Sequence, residues 1–164
     1  MAESFLQRTW AEIDLDRIAH NYQTLRRCAG ENARFLGVVK ANAYGCGAVQ
    51  VARKLEELGA DYLAVACLDE VQELRDAGIS TPILILGYTP PEMTEQLIRY
   101  NVTQAGSSEA DAAEYSRLAA ACGGTLKIHS DDAILLYGGK VAEFLGGTVE
   151  LIAIEDTVFY YGDV

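Results

Sequence analysis

The pattern of hydrophobic and polar positions predicts strands and helices in alternation. Short apolar runs are typical of strands buried on both faces, and apolar residues that recur every three to four positions are typical of helices. An alternating segment at 9–15 predicts a half-buried strand, and a helix is predicted at 16–29. Buried strands are then predicted at 34–40, 61–67, 82–87, 101–105 and 125–129, with helices at 48–58, 69–77, 90–100 and 107–122.

This order predicts the fold class α/β with a parallel sheet, because short apolar strands joined by helical crossovers are typical of parallel (β/α) repeats. A doubly wound sheet and part of a barrel both fit the order, and periodicity alone does not distinguish them. A complete (β/α)8 barrel needs about 250 residues. The chain has 164 residues, so barrel-type repeats here would form an incomplete TIM-type barrel.

The character of the chain changes after His129. Residues 130–164 contain one lysine and seven acidic residues, which carry −6 of the total charge of −11. The pattern predicts an apolar run at 133–137, a short helix at 140–145 and strands at 148–154 and 157–161. We therefore divide the chain into a (β/α) portion, 1–129, and a divergent tail, 130–164.

Composition narrows the possible partners and locations. With 13 basic and 24 acidic residues, the chain repels phosphate backbones and anionic lipid, so neither nucleic acid nor a membrane surface is an expected partner. No apolar run is long enough to span a membrane, and the first residues lack a signal peptide's pattern, so we expect a cytoplasmic protein. The four cysteines form no C-x-x-C pair, which predicts free thiols and no metal site, and Cys67 is expected in the core.

Lys40 is the strongest candidate for chemistry. It ends a buried strand, and ligands gather at the carboxyl ends of strands in parallel α/β folds. A partly desolvated lysine at such a place can form a Schiff base with an aldehyde such as pyridoxal 5′-phosphate (PLP). The alternative is a structural lysine whose ammonium group extends from the strand end into water.

The turn after Lys40 contains Gly45 and Gly47. A G-x-G without a third glycine is a weak dinucleotide signature, so a doubly wound nucleotide-binding protein is a possible but poorly supported class. The same turn places Tyr44 near the edge of the sheet, where a phenol can reach a phosphate oxygen.

Several segments together resemble the alanine racemase family. KANAYGCG at 40–47 resembles the motif of the PLP-binding lysine, and TWAEIDL at 9–15 resembles the opening strand of the family. HNY at 20–22, YLAVA with LDE at 62–70, and PILILGYT at 82–89 resemble the elements that follow. The resemblance covers about residues 8–129, in matching order and spacing.

The resemblance implies a PLP-binding barrel that interconverts L- and D-alanine for peptidoglycan synthesis. It implies that Lys40 binds PLP and serves as one of two opposed bases. Tyr44 would contact the phosphate of PLP, and Val38 and Leu86 would line the cofactor. Members of the family act as homodimers, which makes a homodimer the expected partner state, with alanine as the small-molecule substrate.

This chain also departs from the family pattern. Cys46 stands where the family usually has histidine, Asp131 where it has a second lysine, and Gly138 where an arginine holds the phenolic oxygen of PLP. The resemblance thus implies a truncated racemase that is weak or inactive alone. The alternative is a non-catalytic PLP-binding or interaction module, or an inactive remnant.

Overall fold

The helices and strands alternate along the chain as the sequence predicts. A computed structural model describes residues 10–30, 33–106, 108–129, 149–151 and 157–159. The helices in these residues are α1 (Leu15–Ala29), α2 (Lys40–Tyr44, one left-handed turn), α3 (Ala48–Glu57), α4 (Leu68–Asp76), α5 (Thr94–Arg99, after a 3-10 turn at Pro91–Met93) and α6 (Glu109–Cys122). The strands are β1 (Arg34–Val38), β2 (Tyr62–Val65), β3 (Ile83–Ile85), β4 (Thr103–Ala105), β5 (Leu126–His129), β6 (Val149–Leu151) and β7 (Thr157–Phe159).

All described strands belong to one parallel sheet, in the order β6-β5-β4-β3-β2-β1-β7. The prediction of parallel (β/α) repeats is confirmed, with β1 to β5 one to three residues shorter than predicted. The two tail strands lie inside the predicted ranges 148–154 and 157–161. They pair with opposite edges of the five-stranded sheet, β6 with β5 and β7 with β1. The N–H and C=O groups that β1 and β5 would otherwise leave exposed at the sheet edges therefore have strand partners.

The two faces of the sheet differ, and this difference identifies the architecture. Buried residues of α1, α3, α4, α5 and α6 join the strand residues of one face in a single hydrophobic cluster. The opposite face carries a smaller cluster of Leu36, Ala64 and Leu84, which has no helix among its members. A doubly wound sheet has helices on both faces, whereas a (β/α)8 barrel has helices on the outside only. The described residues therefore form part of a barrel wall.

Two expectations from the sequence are wrong. Residues 10–14 form no strand despite their alternating pattern, and Asp14 instead caps α1 by accepting hydrogen bonds from the N–H groups of Asp16 (2.9 Å) and Arg17 (3.2 Å). Cys67 is exposed rather than part of the core, because β2 ends at Val65 and Cys67 is the residue before α4. All four cysteines are free thiols, as predicted. The predicted apolar run at 133–137 and helix at 140–145 lie outside the described residues.

Candidate functional site

Lys40 lies at the point where β1 leaves the sheet. The N–H group of Val39 donates to the carbonyl oxygen of Ala64 on β2 at 2.8 Å, and Lys40 is the next residue. Its side chain is half-buried. The structure thus places Lys40 where the sequence predicted, at the carboxyl edge of the sheet where ligands of α/β proteins bind. Its chemical role stays a prediction.

The turn that follows β1 has an unfavourable backbone. Residues 41–44, none of them glycine, all have φ between 51° and 57°. The left-handed region costs about 1–2 kcal/mol for each such residue, because Cβ approaches the following carbonyl oxygen. The N–H group of Ala43 donates to the carbonyl of Val39 at 2.9 Å, and the side-chain oxygen of Asn42 accepts from the N–H group of Ala48 at 2.8 Å. Strain of this kind persists only where surrounding contacts hold it, and it is common at functional sites.

Val38 and Leu86 lie on the face of the sheet that carries no helices. Both are half-buried and pack against the cluster of Leu36, Ala64 and Leu84. In the register of the sheet, Val38 pairs with Ala64, and Ala64 pairs with Leu84. The structure therefore brings the two predicted lining residues onto one apolar surface, at the edge where Lys40 emerges.

Tyr44 ends the left-handed turn and is 44% exposed. It lines a cavity of about 540 Å³ between α1 and β1, together with Val38. That cavity includes neither Lys40 nor Leu86. Tyr44 and Val38 thus line one cavity, and Val38 and Leu86 pack against one apolar cluster. The four predicted site residues do not all line a single cavity.

Two basic side chains of β5 lie on the face of the sheet that carries no helices. Leu126 and Ile128 belong to the cluster on the helix side, so strand alternation places Lys127 and His129 on the opposite face. His129 is buried and pairs in register with Ala105, a member of the smaller cluster. The sequence did not show which face of the sheet His129 lies on. Strand alternation separates the two faces but does not reveal which of them the helices cover.

Glu70 contacts the backbone beside Lys40, a role that nothing in the sequence pattern indicated. Its Oε1 atom accepts from the N–H group of Ala41 at 2.6 Å, and its Oε2 atom accepts from the N–H group of Ala66 at 2.7 Å. The only signal in the sequence was an acidic residue in the first turn of a helix that follows a buried strand, and many helices share that feature.

Gly87 permits a close approach between the ends of β2 and β3. A Cβ atom at this position would lie 2.3 Å from the carbonyl oxygen of Ala66. We expect Gly87→Ala to lower the free energy of unfolding by about 1–3 kcal/mol, because the obstacle is backbone that must shift. Urea unfolding measures this effect. In Gly124→Ala the Cβ would meet side-chain carbons of Ile98, at 2.9, 3.1 and 3.7 Å, and a side chain yields more easily than backbone, so this control should lose less; equal losses would contradict the prediction.

The described residues contain no helix that is both long and apolar enough to cross a membrane. The same residues contain no group of three or more histidine, cysteine, aspartate and glutamate side chains that could hold a metal ion.

Comparisons with known proteins agree with one another. Residues 13–130 match the family model described as alanine racemase, N-terminal domain. Alanine racemase 1 of Clostridium acetobutylicum is 48% identical over 124 residues, which cover 76% of this chain and 32% of that protein. The chain therefore spans about a third of the length of this curated relative.

Two solved structures resemble the chain closely. An alanine racemase of Clostridium difficile 630, in complex with cycloserine, has a TM-score of 0.79 and 35% identity and covers 90% of this chain and 40% of its own. The alanine racemase of Bacillus anthracis with bound L-Ala-P has a TM-score of 0.77 and 34% identity, with coverages of 90% and 41%.

Proposed function

Because the chain belongs to the alanine racemase N-terminal domain family, we propose that it binds PLP through Lys40 and supplies the lysine base of an alanine racemase. The observation that carries the proposal is the placement of Lys40. A half-buried lysine stands at the carboxyl edge of the sheet, on a strained turn, beside an apolar surface without helices. The names of the relatives given above describe them as alanine racemases, and the chain covers between 32% and 41% of their length.

The residues at this edge suit PLP. The Lys40 amine can condense with an aldehyde, and the half-buried side chains of Val38 and Leu86 offer an apolar surface to an aromatic ring. Ala64 and Ala105, which belong to the same surface, are small and apolar. The exposed Tyr44 hydroxyl can donate a hydrogen bond to a phosphate oxygen. In this proposal, Lys40 would bind PLP covalently, Val38 and Leu86 would contact its ring, and Tyr44 would contact its phosphate.

The chemistry that we propose for the chain is proton transfer at the α-carbon of alanine. When bound, PLP would store the electron pair that remains after the proton leaves. The Lys40 Nζ atom would remove or return this proton on one face of the α-carbon. Inversion requires a second base on the opposite face. The family resemblance implies that this base belongs to a part of the longer relatives that the matched segment does not include.

The alternative is a non-catalytic PLP-binding or interaction module, or an inactive remnant. The observation that favours it is coverage, since residues 13–130 account for only the N-terminal domain of the family. Loss of one positioned acid–base group costs about 10²–10⁴ in rate. We therefore propose that racemisation by these 164 residues alone is weak or absent. The division at residue 129, the homodimer and the cytoplasmic location stay predictions.

Reductive trapping tests the proposal directly. The full chain is mixed with PLP and reduced with borohydride, and the modified peptides are mapped by mass spectrometry. We expect the added mass on Lys40, while the half-exposed Lys54 on α3, whose Nζ is 2.9 Å from an oxygen of Glu57, serves as the internal control. Equal modification of both lysines in a folded chain would refute a specific site. Formation of D-alanine from L-alanine then separates a racemase from a binding module.

A further inference from the structure

Glu70 holds together the ends of β1 and β2 at the point where the two strands separate. In a parallel ladder, the bond from Val39 N–H to the carbonyl of Ala64 is followed by a bond from Ala66 N–H to the carbonyl of Val39. Here the carbonyl of Val39 instead accepts from Ala43 in the turn, at 2.9 Å. The N–H group of Ala66 donates to Glu70 Oε2 at 2.7 Å.

The second carboxylate oxygen serves the next donor in the same ladder. If β1 continued, the N–H group of Ala41 would donate to the carbonyl of Ala66. The chain has already turned into the left-handed conformation, and Ala41 N–H donates to Glu70 Oε1 at 2.6 Å. One carboxylate therefore replaces two ladder bonds, on opposite strands, directly beside Lys40. Hydrogen bonds to an ionised acceptor are about twice as strong as neutral ones.

This bridge determines where the backbone of Lys40 leaves the sheet. Lys40 lies between Val39, whose N–H group remains in the ladder, and Ala41, whose N–H group is held by Glu70. The unfavourable φ angles of residues 41–44 mean that the turn would relax without such contacts. A relaxed turn would move the Cα of Lys40 relative to the apolar surface of Val38 and Leu86.

We propose that Glu70 is a positioning residue for Lys40, which it orients toward the cofactor by bridging the amides of Ala41 and Ala66; this rests on the proposed function. Glu70 does not touch the cofactor in this scheme. Its effect on chemistry is transmitted through the backbone of the turn.

Glu70→Gln is the sharpest variant, because it keeps the size of the side chain and one acceptor oxygen. Its NH₂ group would face one of the two N–H donors, so only one bond of the bridge can survive. Glu56→Gln is a matched control. Glu56 also accepts hydrogen bonds from two backbone amides, those of Ser80 (2.8 Å) and Thr81 (2.7 Å), but these residues precede β3, at the opposite edge of the sheet.

The first measurement is amide hydrogen exchange of the full 164-residue chain without PLP. We expect Glu70→Gln to speed exchange at Ala41, Ala66 or both by about tenfold or more, because a lost acceptor opens the local structure. Glu56→Gln should leave these two amides unchanged, and it should also keep the bonds from Ser80 and Thr81, because a single oxygen of Glu56 accepts them and Gln retains one acceptor oxygen. Unchanged exchange at both Ala41 and Ala66 in folded Glu70→Gln would overturn the proposal.

The second measurement is the visible absorbance of each variant titrated with PLP. We expect Glu70→Gln to raise the apparent dissociation constant about tenfold or more, since small misplacements of a reacting group have large effects, and Glu56→Gln to leave it unchanged. Faster exchange with unaltered PLP binding would show a purely structural bridge and overturn the positioning role. If Glu70→Gln does not fold, Glu70→Asp, too short to reach both amides, receives the same two measurements.

The two proposals fail differently. A wild-type absorbance band that survives in Lys40→Ala would overturn the proposed function, and the role of Glu70 with it. A band that depends on Lys40 but is identical in wild type and Glu70→Gln would overturn the role of Glu70 alone.

Discussion

Replacing Lys40 with alanine is expected to abolish the visible absorbance band that PLP acquires when it binds this chain. The band requires a covalent bond between the aldehyde and an amine, and among the lysines that the structure describes Lys40 alone stands at the carboxyl edge of β1 beside Val38. The remaining contacts, from apolar side chains and one phenol, can hold the ring and the phosphate but cannot form that bond. Absorbance spectra of wild type and Lys40→Ala at equal PLP concentrations measure the effect.

The control for this result is Lys54→Ala. Lys54 lies on α3, is half-buried at the surface and interacts with Glu57, so its removal should leave the band intact. Circular dichroism of both variants shows whether the fold is retained. A band of undiminished intensity in folded Lys40→Ala would refute Lys40 as the attachment site.

The second large effect is expected from Glu56→Ala, which removes a carboxylate from α3. One oxygen of Glu56 accepts from the N–H and hydroxyl groups of both Ser80 (2.8 and 2.7 Å) and Thr81 (2.7 and 3.0 Å). Thr81 is buried, so its N–H group would lose its partner away from water. We expect the free energy of unfolding at pH 7 to fall by about 2 kcal/mol, measured by urea unfolding.

The same variant carries a pH signature. Partial burial raises the pKa of Glu56, but the hydrogen bonds from Ser80 and Thr81 outweigh burial, so the net pKa lies below its ordinary value of 4.5. A carboxylate whose pKa is lowered by folding stabilises the protein above its unfolded pKa and loses that contribution as the pH falls through the folded pKa. The difference between wild type and Glu56→Ala should therefore be full at pH 7 and shrink below about pH 4.5.

Glu57→Ala is the matched control for Glu56→Ala. Glu57 is 57% exposed and interacts with Lys54 one turn earlier, a surface pair worth about 0.5 kcal/mol or less. A loss in Glu56→Ala as small as in Glu57→Ala, or one that stays constant down to pH 3, would contradict the prediction.

The sequence located most elements because each one has a local cause. The apolar runs around Leu36, Leu63 and Leu84 are too continuous for exposed helices and too short for buried ones, so they predict strands. The prediction of a strand at 9–15 is wrong because a strand also needs a partner strand, which a local pattern cannot supply. The alternation of this segment suits a strand, but among the described residues no other strand pairs with it. The prediction that Cys67 lies in the core is wrong because an apolar run does not reveal where its strand ends.

Some residues of the candidate site could be predicted from the sequence, and one could not. The sequence singled out Lys40 because it ends a buried strand, and it placed Tyr44 in the turn that follows. The roles predicted for Tyr44, Val38 and Leu86 came from the family resemblance. Glu70 could not be predicted, because its role depends on the register of β1 against β2 and on contacts with Ala41 and Ala66, 29 and 4 residues away along the chain.

Local periodicity and chain connectivity were enough to predict the alternation of strands and helices, the parallel sheet and the lysine at a strand end. Periodicity did not distinguish a doubly wound sheet from a barrel wall, because both have the same periodicity and differ in which face the helices cover; the family resemblance implied a barrel, and the placement of the helices on one face of the sheet confirms it. Only the tertiary structure decided which polar side chain holds the turn at Lys40. That depends on which atoms of β1, β2 and α4 meet in space, and no local pattern encodes their distances.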